Sequence, residues 1–172
     1  VDTIYSRMEC ELNGRKIKYE EGKLYVWREM SARGMLHNPD WFEAKGCIDI
    51  QTGYRAVMIN NKSFKYHRVV YFIHNQEWDI HNSCRDNLID HIDQDKLNNN
   101  IENLRVVSHQ QNIWNRKTKG FHFHRKSGKY LARITLNTKR MTIGYFNTED
   151  EAHQAYLNAK AIHHHIPQAN PL

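Results

Sequence analysis

From Asn103 to Thr148 the chain contains no aspartate and no glutamate; its nineteen acidic residues all lie before or after that stretch. Ten basic residues lie inside it: Arg105, Arg116, Lys117, Lys119, Arg125, Lys126, Lys129, Arg133, Lys139 and Arg140. A carboxylate there would repel phosphate, so so long a segment without one suits contact with a polyanion. Long apolar runs are also missing. Nothing approaches the ~18 residues that would span a bilayer, so no membrane partner is expected. The start, Val1-Asp2-Thr3-Ile4-Tyr5, lacks a basic-then-apolar signal pattern. Cysteine is scarce: Cys10, Cys47 and Cys84 are far apart, odd in number and never spaced Cys-x-x-Cys. That excludes a disulfide framework or a structural zinc site as the expectation and points to a reducing, intracellular compartment.

What is present is a polar chain of 172 residues with a mean hydropathy of −0.82, a net charge of +6 and a pI near 9.2. That length holds one ordinary domain or two small ones. Three segments are expected, over 1–62, 63–117 and 118–172, giving an α+β fold. In the first, Lys16–Tyr19 and Lys23–Trp27 flank Glu20-Glu21-Gly22 as a hairpin, and Cys47–Ile50 and Tyr54–Ile59 flank Gln51-Thr52-Gly53 as another. Met35, Trp41 and Phe42, in irregular sequence between them, are expected in the core. In the second, His67–Ile73 has the spacing of a short helix, with Val69, Val70 and Ile73 on one face. A polar loop leads to a short strand, Leu88-Ile89, and a second strand follows at Leu104–Val107. Ser108 and Gln111 then match a capping box, which puts Asn112 in the first turns of a helix. In the third, strands at Lys129–Thr135 and Arg140–Phe146 meet near Asn137-Thr138. Thr148 and Glu151 form another capping box, ahead of helically spaced Ala152, Ala155, Tyr156, Ala159 and Ile162. His163-His164-His165 reads as a frayed helix end.

The chemistry concentrates in Ile89-Asp90-His91-Ile92-Asp93, Asn98-Asn99-Asn100-Ile101-Glu102-Asn103-Leu104-Arg105 and Gln111-Asn112. Cutting a phosphodiester needs a deprotonated water, charge stabilisation on the phosphoryl oxygens and help for the leaving oxygen. A neutral imidazole can take the proton from water near pH 7, and His91 fits that role. One divalent ion supplies the rest, and a hard ion that keeps several waters needs only a carboxylate and an amide oxygen, here Asp90 and Asn112. Neighbours on a strand point to opposite faces, so Asp90 and His91 can serve one site only if the strand ends or bends there.

These residues resemble the HNH nuclease motif and its ββα-metal fold, and most of all the phage and intron-encoded homing or nicking endonucleases. The likeness covers roughly residues 54 to 116, including Tyr66-His67-Arg68-Val69-Val70 and the run ending Asn103-Leu104-Arg105. It implies His91 as general base, Asp90 as a metal ligand, Asn103 as the residue that braces the loop and orients the histidine, and Asn112 as the second ligand. With asparagine in that last place, Mg²⁺ is expected first and Mn²⁺ second. If the chain is phage-encoded, it acts in the cytoplasm of a bacterial host. Arg105 and Arg116 are candidate phosphate clamps, His109 a phosphate or solvent contact, and His67 either a support of the site or a core residue.

Gly120-Phe121-His122-Phe123-His124-Arg125-Lys126-Ser127-Gly128-Lys129-Tyr130-Leu131, Ile143-Gly144-Tyr145-Phe146 and Glu149-Asp150-Glu151-Ala152 resemble the plant ethylene-response-factor (AP-two) DNA-binding domain, over about residues 118 to 162. The resemblance implies a three-stranded sheet docked in the major groove and backed by one helix. Tyr130 stands where that family commonly has tryptophan, so its target sequence does not carry over. By strand alternation Lys129, Leu131, Arg133 and Thr135 share one face, expected toward DNA, while Tyr130, Ala132 and Ile134 cover the helix. Arg125, Arg133 and Arg140 are candidate guanine or phosphate contacts. Lys117, Lys119, Lys126, Lys129 and Lys139 suit phosphate.

The expected function is a metal-dependent, site-specific DNA endonuclease acting on duplex DNA. No protein partner is implied, and monomer or dimer is left open; one site per chain means that a monomer nicks. The competing readings are a catalytically inactive DNA-binding regulator on the same scaffold, and cleavage or binding of structured RNA.

Overall fold

The computed structural model describes residues 8–29, 39–136 and 138–168. Met35 and Asn137, given roles above, lie outside the described residues. The chain divides into two compact units, Val1–Ser108 with Gln168–Leu172, and His109–Pro167.

In the first unit, β1 (Met8–Leu12), β2 (Arg15–Glu20), β3 (Lys23–Arg28) and β4 (Asp40–Glu43) form an antiparallel sheet in sequence order. The links β1–β2 and β2–β3 are two-residue turns, Asn13-Gly14 and Glu21-Gly22, with φ between 51° and 76° at all four positions. Such turns match the right-handed twist of the strands they join. Trp41 and Phe42 are not in irregular core sequence as expected. They sit on β4, at the sheet edge, where Trp41 is half-buried against Trp27 and Phe42 is 37% exposed.

A second sheet joins β5 (Cys47–Ile48), β6 (Arg55–Ile59) and β7 (Lys62–Lys65). The expected strand Cys47–Ile50 stops at Ile48. The Asp49 carboxylate accepts the Gln51 N–H at 2.9 Å and the Thr52 hydroxyl at 2.8 Å, which closes a turn and leaves Ile50 97% exposed. The two sheets are tied by exchanged amide bonds. Asn13 Nδ2 donates to the Ile59 carbonyl at 2.9 Å, and Asn60 Nδ2 donates to the Asn13 carbonyl at 3.0 Å.

Helix α1 (Tyr66–His74) follows β7 directly. It buries Tyr66, His67, Val69, Val70, Tyr71 and Ile73, so it is enclosed on more than the one apolar face its spacing suggests. Its first residue reaches back to the N-terminal sheet, where the Tyr66 hydroxyl accepts the Leu24 N–H at 3.0 Å. Arg68 holds the long polar loop by donating to the carbonyls of Ile80, Asn82 and Asn87. One apolar core, from Leu12, Ile17 and Leu24 through Val57, Val70 and Ile73 to Ile89 and Leu104, runs across residue 62 without a break. An antiparallel ribbon of β8 (Leu88–His91) and β9 (Leu104–Val107), with a single 3-10 turn at Ile101–Asn103 before β9, completes this unit.

The second unit opens with α2 (His109–Asn115). It continues with an antiparallel sheet of β10 (Phe121–His124), β11 (Lys129–Leu136) and β12 (Lys139–Phe146), and ends with α3 (Glu149–His163). Both halves of the capping box at Thr148 form: Thr148 Oγ1 accepts the Glu151 N–H at 3.2 Å, and Glu151 reaches back to the Thr148 N–H. Ala152 and Tyr156 of α3 are buried along with Leu131, Ala132 and Ile134 of β11. Leu131, expected on the open face, is fully buried; Arg133 and Thr135 are exposed as the alternation requires. The triple histidine is not a frayed end. α3 runs to His163, and His164 stacks on Trp114 of α2 with ring centroids 4.4 Å apart and planes within 9°.

Candidate active site

Strand β8 extends two residues further than Leu88-Ile89 and ends at His91, where a turn closed by the Gln94 N–H on the His91 carbonyl begins. Asp90 and His91 are therefore the last two residues of a strand rather than residues of a loop, and both are buried, 7% and 4% exposed. Their side chains meet different neighbours. In the ribbon register Asp90 faces Arg105, and the guanidinium donates to Asp90 Oδ2 from Nη2 at 2.9 Å and from Nε at 3.1 Å. Arg105, expected to clamp phosphate, is itself only 5% exposed and is the cross-strand partner of Asp90.

His91 lies in a cluster of rings. Its centroid is 5.0 Å from that of His67, edge to face, and 6.0 Å from that of Tyr54; His67 and Tyr54 are 5.0 Å apart. His91 Nε2 is 3.0 Å from Asn99 Oδ1. The Asn99 amide has its orientation fixed, because its Nδ2 donates to the Leu97 carbonyl at 3.2 Å. An amide oxygen only accepts, so this contact is a hydrogen bond when Nε2 of His91 carries the hydrogen, and in the neutral ring Nδ1 is then the basic nitrogen.

Asn103 is bonded to the loop after β8 rather than to the imidazole. Its Nδ2 donates to Asp93 Oδ1 at 2.9 Å and to the Asn98 carbonyl at 2.8 Å, while its Oδ1 accepts the Asp93 N–H at 3.0 Å. It closes the loop after β8; the residue on the imidazole is Asn99. Burial works against the Asp93 charge, but the bonds from Asn98 and Asn103 more than offset this and hold its carboxyl below its ordinary range. His67, 3% exposed, is pushed down to about 2, first by burial and then by electrostatic repulsion from its neighbours, among them Lys65 and Arg68. It is a neutral imidazole, and among the described residues its buried Nδ1 has no hydrogen-bond partner.

Asn112 is half-buried on α2, which begins immediately after Ser108, in the second unit. Of the ten basic residues in the acid-free stretch, all except Arg105 are exposed. Among the described residues no three His, Cys, Asp or Glu side chains gather as a metal cage. The donor set fits a different kind of ion: one buried carboxylate, at Asp90, suits a hard cation that keeps most of its own waters.

Residues 64–113 match the family model for HNH endonucleases. The match runs from β7 to α2 and includes Asp90, His91, Asn99, Asn103 and Asn112, but it spans 50 of the 172 residues. The HNH segment supports a nuclease, and hence a hydrolase that acts on DNA. No curated protein and no solved structure matches the chain. Within the HNH segment the strand–loop–strand–helix order along the chain is that of β8, the Asn-rich loop, β9 and α2.

Sequence reasoning gives Asn99 no role of its own and does not reveal the pairing of Arg105 with Asp90. Both follow only from the strand register, which puts residue 90 opposite 105 and folds 92–103 into one closed loop.

Proposed function

We propose that the chain is a metal-dependent, site-specific endonuclease of the homing or nicking type that cuts one strand of duplex DNA. The observation that carries this reading is the 3.0 Å contact of His91 Nε2 with Asn99 Oδ1 inside a segment that matches the HNH nucleases. His91 Nδ1 removes the proton from the attacking water. Asn99 holds the ring, and Asn103 holds the loop that carries Asn99. Asp90 would hold one divalent ion, Mg²⁺ first and Mn²⁺ second, which when bound would stabilise charge on the phosphoryl oxygens and on the departing 3′ oxygen. The exposed Arg116, Lys117, Lys119, Arg125, Lys126, Lys129, Arg133, Lys139 and Arg140 grip phosphate and base edges, with the sheet of the second unit working as the ethylene-response-factor sheet does.

One observation favours a second reading. Arg105 already occupies Oδ2 of Asp90, and an inactive DNA-binding regulator would keep such a pair with no metal to displace it.

Nicking of supercoiled plasmid in Mg²⁺, with an EDTA control, separates the two. The native chain should nick, His91→Ala should be at least ~10²-fold slower, and Asn99→Ala about tenfold slower, since a general base contributes roughly 10²- to 10⁴-fold. Undiminished nicking by His91→Ala removes His91 as the base. A native chain that is inert in Mg²⁺ and Mn²⁺ on DNA it binds is the regulator.

A further inference from the structure

Two lysines outside the acid-free stretch share one aromatic ring beside the candidate base. Lys65 Nζ lies 4.8 Å and Lys96 Nζ 4.9 Å from the centroid of the Tyr54 ring. That ring is the one 6.0 Å from His91 and 5.0 Å from His67. Each ammonium is therefore at most about 11 Å from the His91 ring centre, on a flexible four-carbon stem that can move inward. Both lysines are exposed, and among the described residues neither makes an ion pair. Lys65 helps hold the Asp49 carboxyl below its ordinary range, and the oxygens of that carboxylate are taken by Gln51 and Thr52. Lys96 also donates to the Thr52 carbonyl at 2.8 Å, which ties the loop after β8 to the β5–β6 turn.

Two like charges brought to one ring repel, although the bond to the Thr52 carbonyl helps to hold Lys96 there. A phosphodiester would reverse the sign of that energy. A water activated by His91 must lie within hydrogen-bond reach of the imidazole and ~3–3.5 Å from phosphorus, and the flexible lysine stems can swing toward a phosphate held there. Lysine suits this place because an ammonium binds phosphate as a point charge from many directions.

We propose that Lys65 and Lys96, carried on the Tyr54 ring, form the subsite that holds the phosphodiester to be cut beside His91. This rests on the nuclease reading and adds residues that the basic stretch does not contain.

The test uses the full chain with two probes: supercoiled plasmid in Mg²⁺ under single-turnover conditions at saturating protein, and a short fluorescent duplex in EDTA titrated with salt. The Lys65→Gln/Lys96→Gln chain should nick at least about tenfold more slowly at saturation. Its slope of log affinity against log salt should fall in size by about 1 to 2, as expected for one or two lost phosphate contacts. Lys65→Arg/Lys96→Arg should recover most of both. Lys16→Gln/Lys23→Gln, exposed on the N-terminal sheet, controls for the lost charge and should nick at the native rate. Native rate and native slope in the double glutamine chain overturn the subsite, as does an equal loss in the control. If the glutamine chain has lost its thermal transition, the two single substitutions are read in the same way. If the native chain binds the duplex but never nicks, the nuclease reading fails, and the salt slope alone decides whether the two lysines hold phosphate.

Discussion

His67 shows how far one buried residue can set the behaviour of its surroundings. In the folded chain it stays neutral down to about pH 2, whereas in the unfolded chain it takes up a proton near its ordinary 6.5. Below 6.5 the unfolded state therefore binds the extra proton. The contribution of His67 to stability is complete above that pH and is lost progressively as pH falls toward 2. One such group weakens the fold by about 1.4 kcal/mol per pH unit, or roughly 2 kcal/mol between pH 7 and 5. Urea unfolding at the two pH values should show His67→Phe losing about 2 kcal/mol less than the native chain over that interval. Equal losses would mean that His67 is not the group responsible. At this scale the sequence is a good guide to which residue types matter and a poor one to which copy acts. Asn98, Asn99, Asn100 and Asn103 are chemically the same side chain. Only the loop, turned by a positive φ of 70° at Gln94, decides that Asn99 meets the imidazole and Asn103 meets Asp93.

Elements specified by local chemistry were legible. The hairpin around Glu21-Gly22, the helix after Lys65, the strand at Leu104–Val107 and the cap at Thr148 each depend on residues a few positions apart. β4 was not legible, because a four-residue edge strand exists only by pairing with β3. β1 carried a signal that went unread: Met8-Glu9-Cys10-Glu11-Leu12 alternates and runs into Asn13-Gly14, a strong short hairpin turn. Gly120 is an element-scale requirement of another kind. It leads into β10 with a φ of +73°, and a Cβ there would lie 1.9 Å from Cγ of Tyr156 on α3. The ring cannot retreat freely, since its hydroxyl is 2.8 Å from Thr118 Oγ1. Gly120→Ala should cost about 2 to 4 kcal/mol, from backbone strain and overpacking together. Thermal unfolding followed by circular dichroism checks this; an unchanged midpoint would mean that the β10–α3 packing is looser than described.

Charge divides the whole molecule unevenly. The second unit, His109–Pro167, has ten lysines and arginines against three acidic residues, a formal +7, while the rest of the chain has fifteen against sixteen, a formal −1. Affinity for a polyanion should therefore come mainly from the second unit, and chemistry from the HNH segment. Arg133→Gln/Arg140→Gln should weaken binding to any duplex and reduce the salt slope by about 1 to 2. A slope unchanged from the native chain would assign the grip elsewhere. The ion pair across the β8–β9 ribbon has a consequence for anyone disabling this protein. Taking the charge from Asp90, the obvious way to make an inert version, strands a buried guanidinium and costs ~3–5 kcal/mol, a large share of what holds a small domain together. A silent Asp90→Asn preparation would then be short of native molecules before it was short of any ligand, and its silence would say little about chemistry. His91→Ala strands no charge of that kind and is the better knockout.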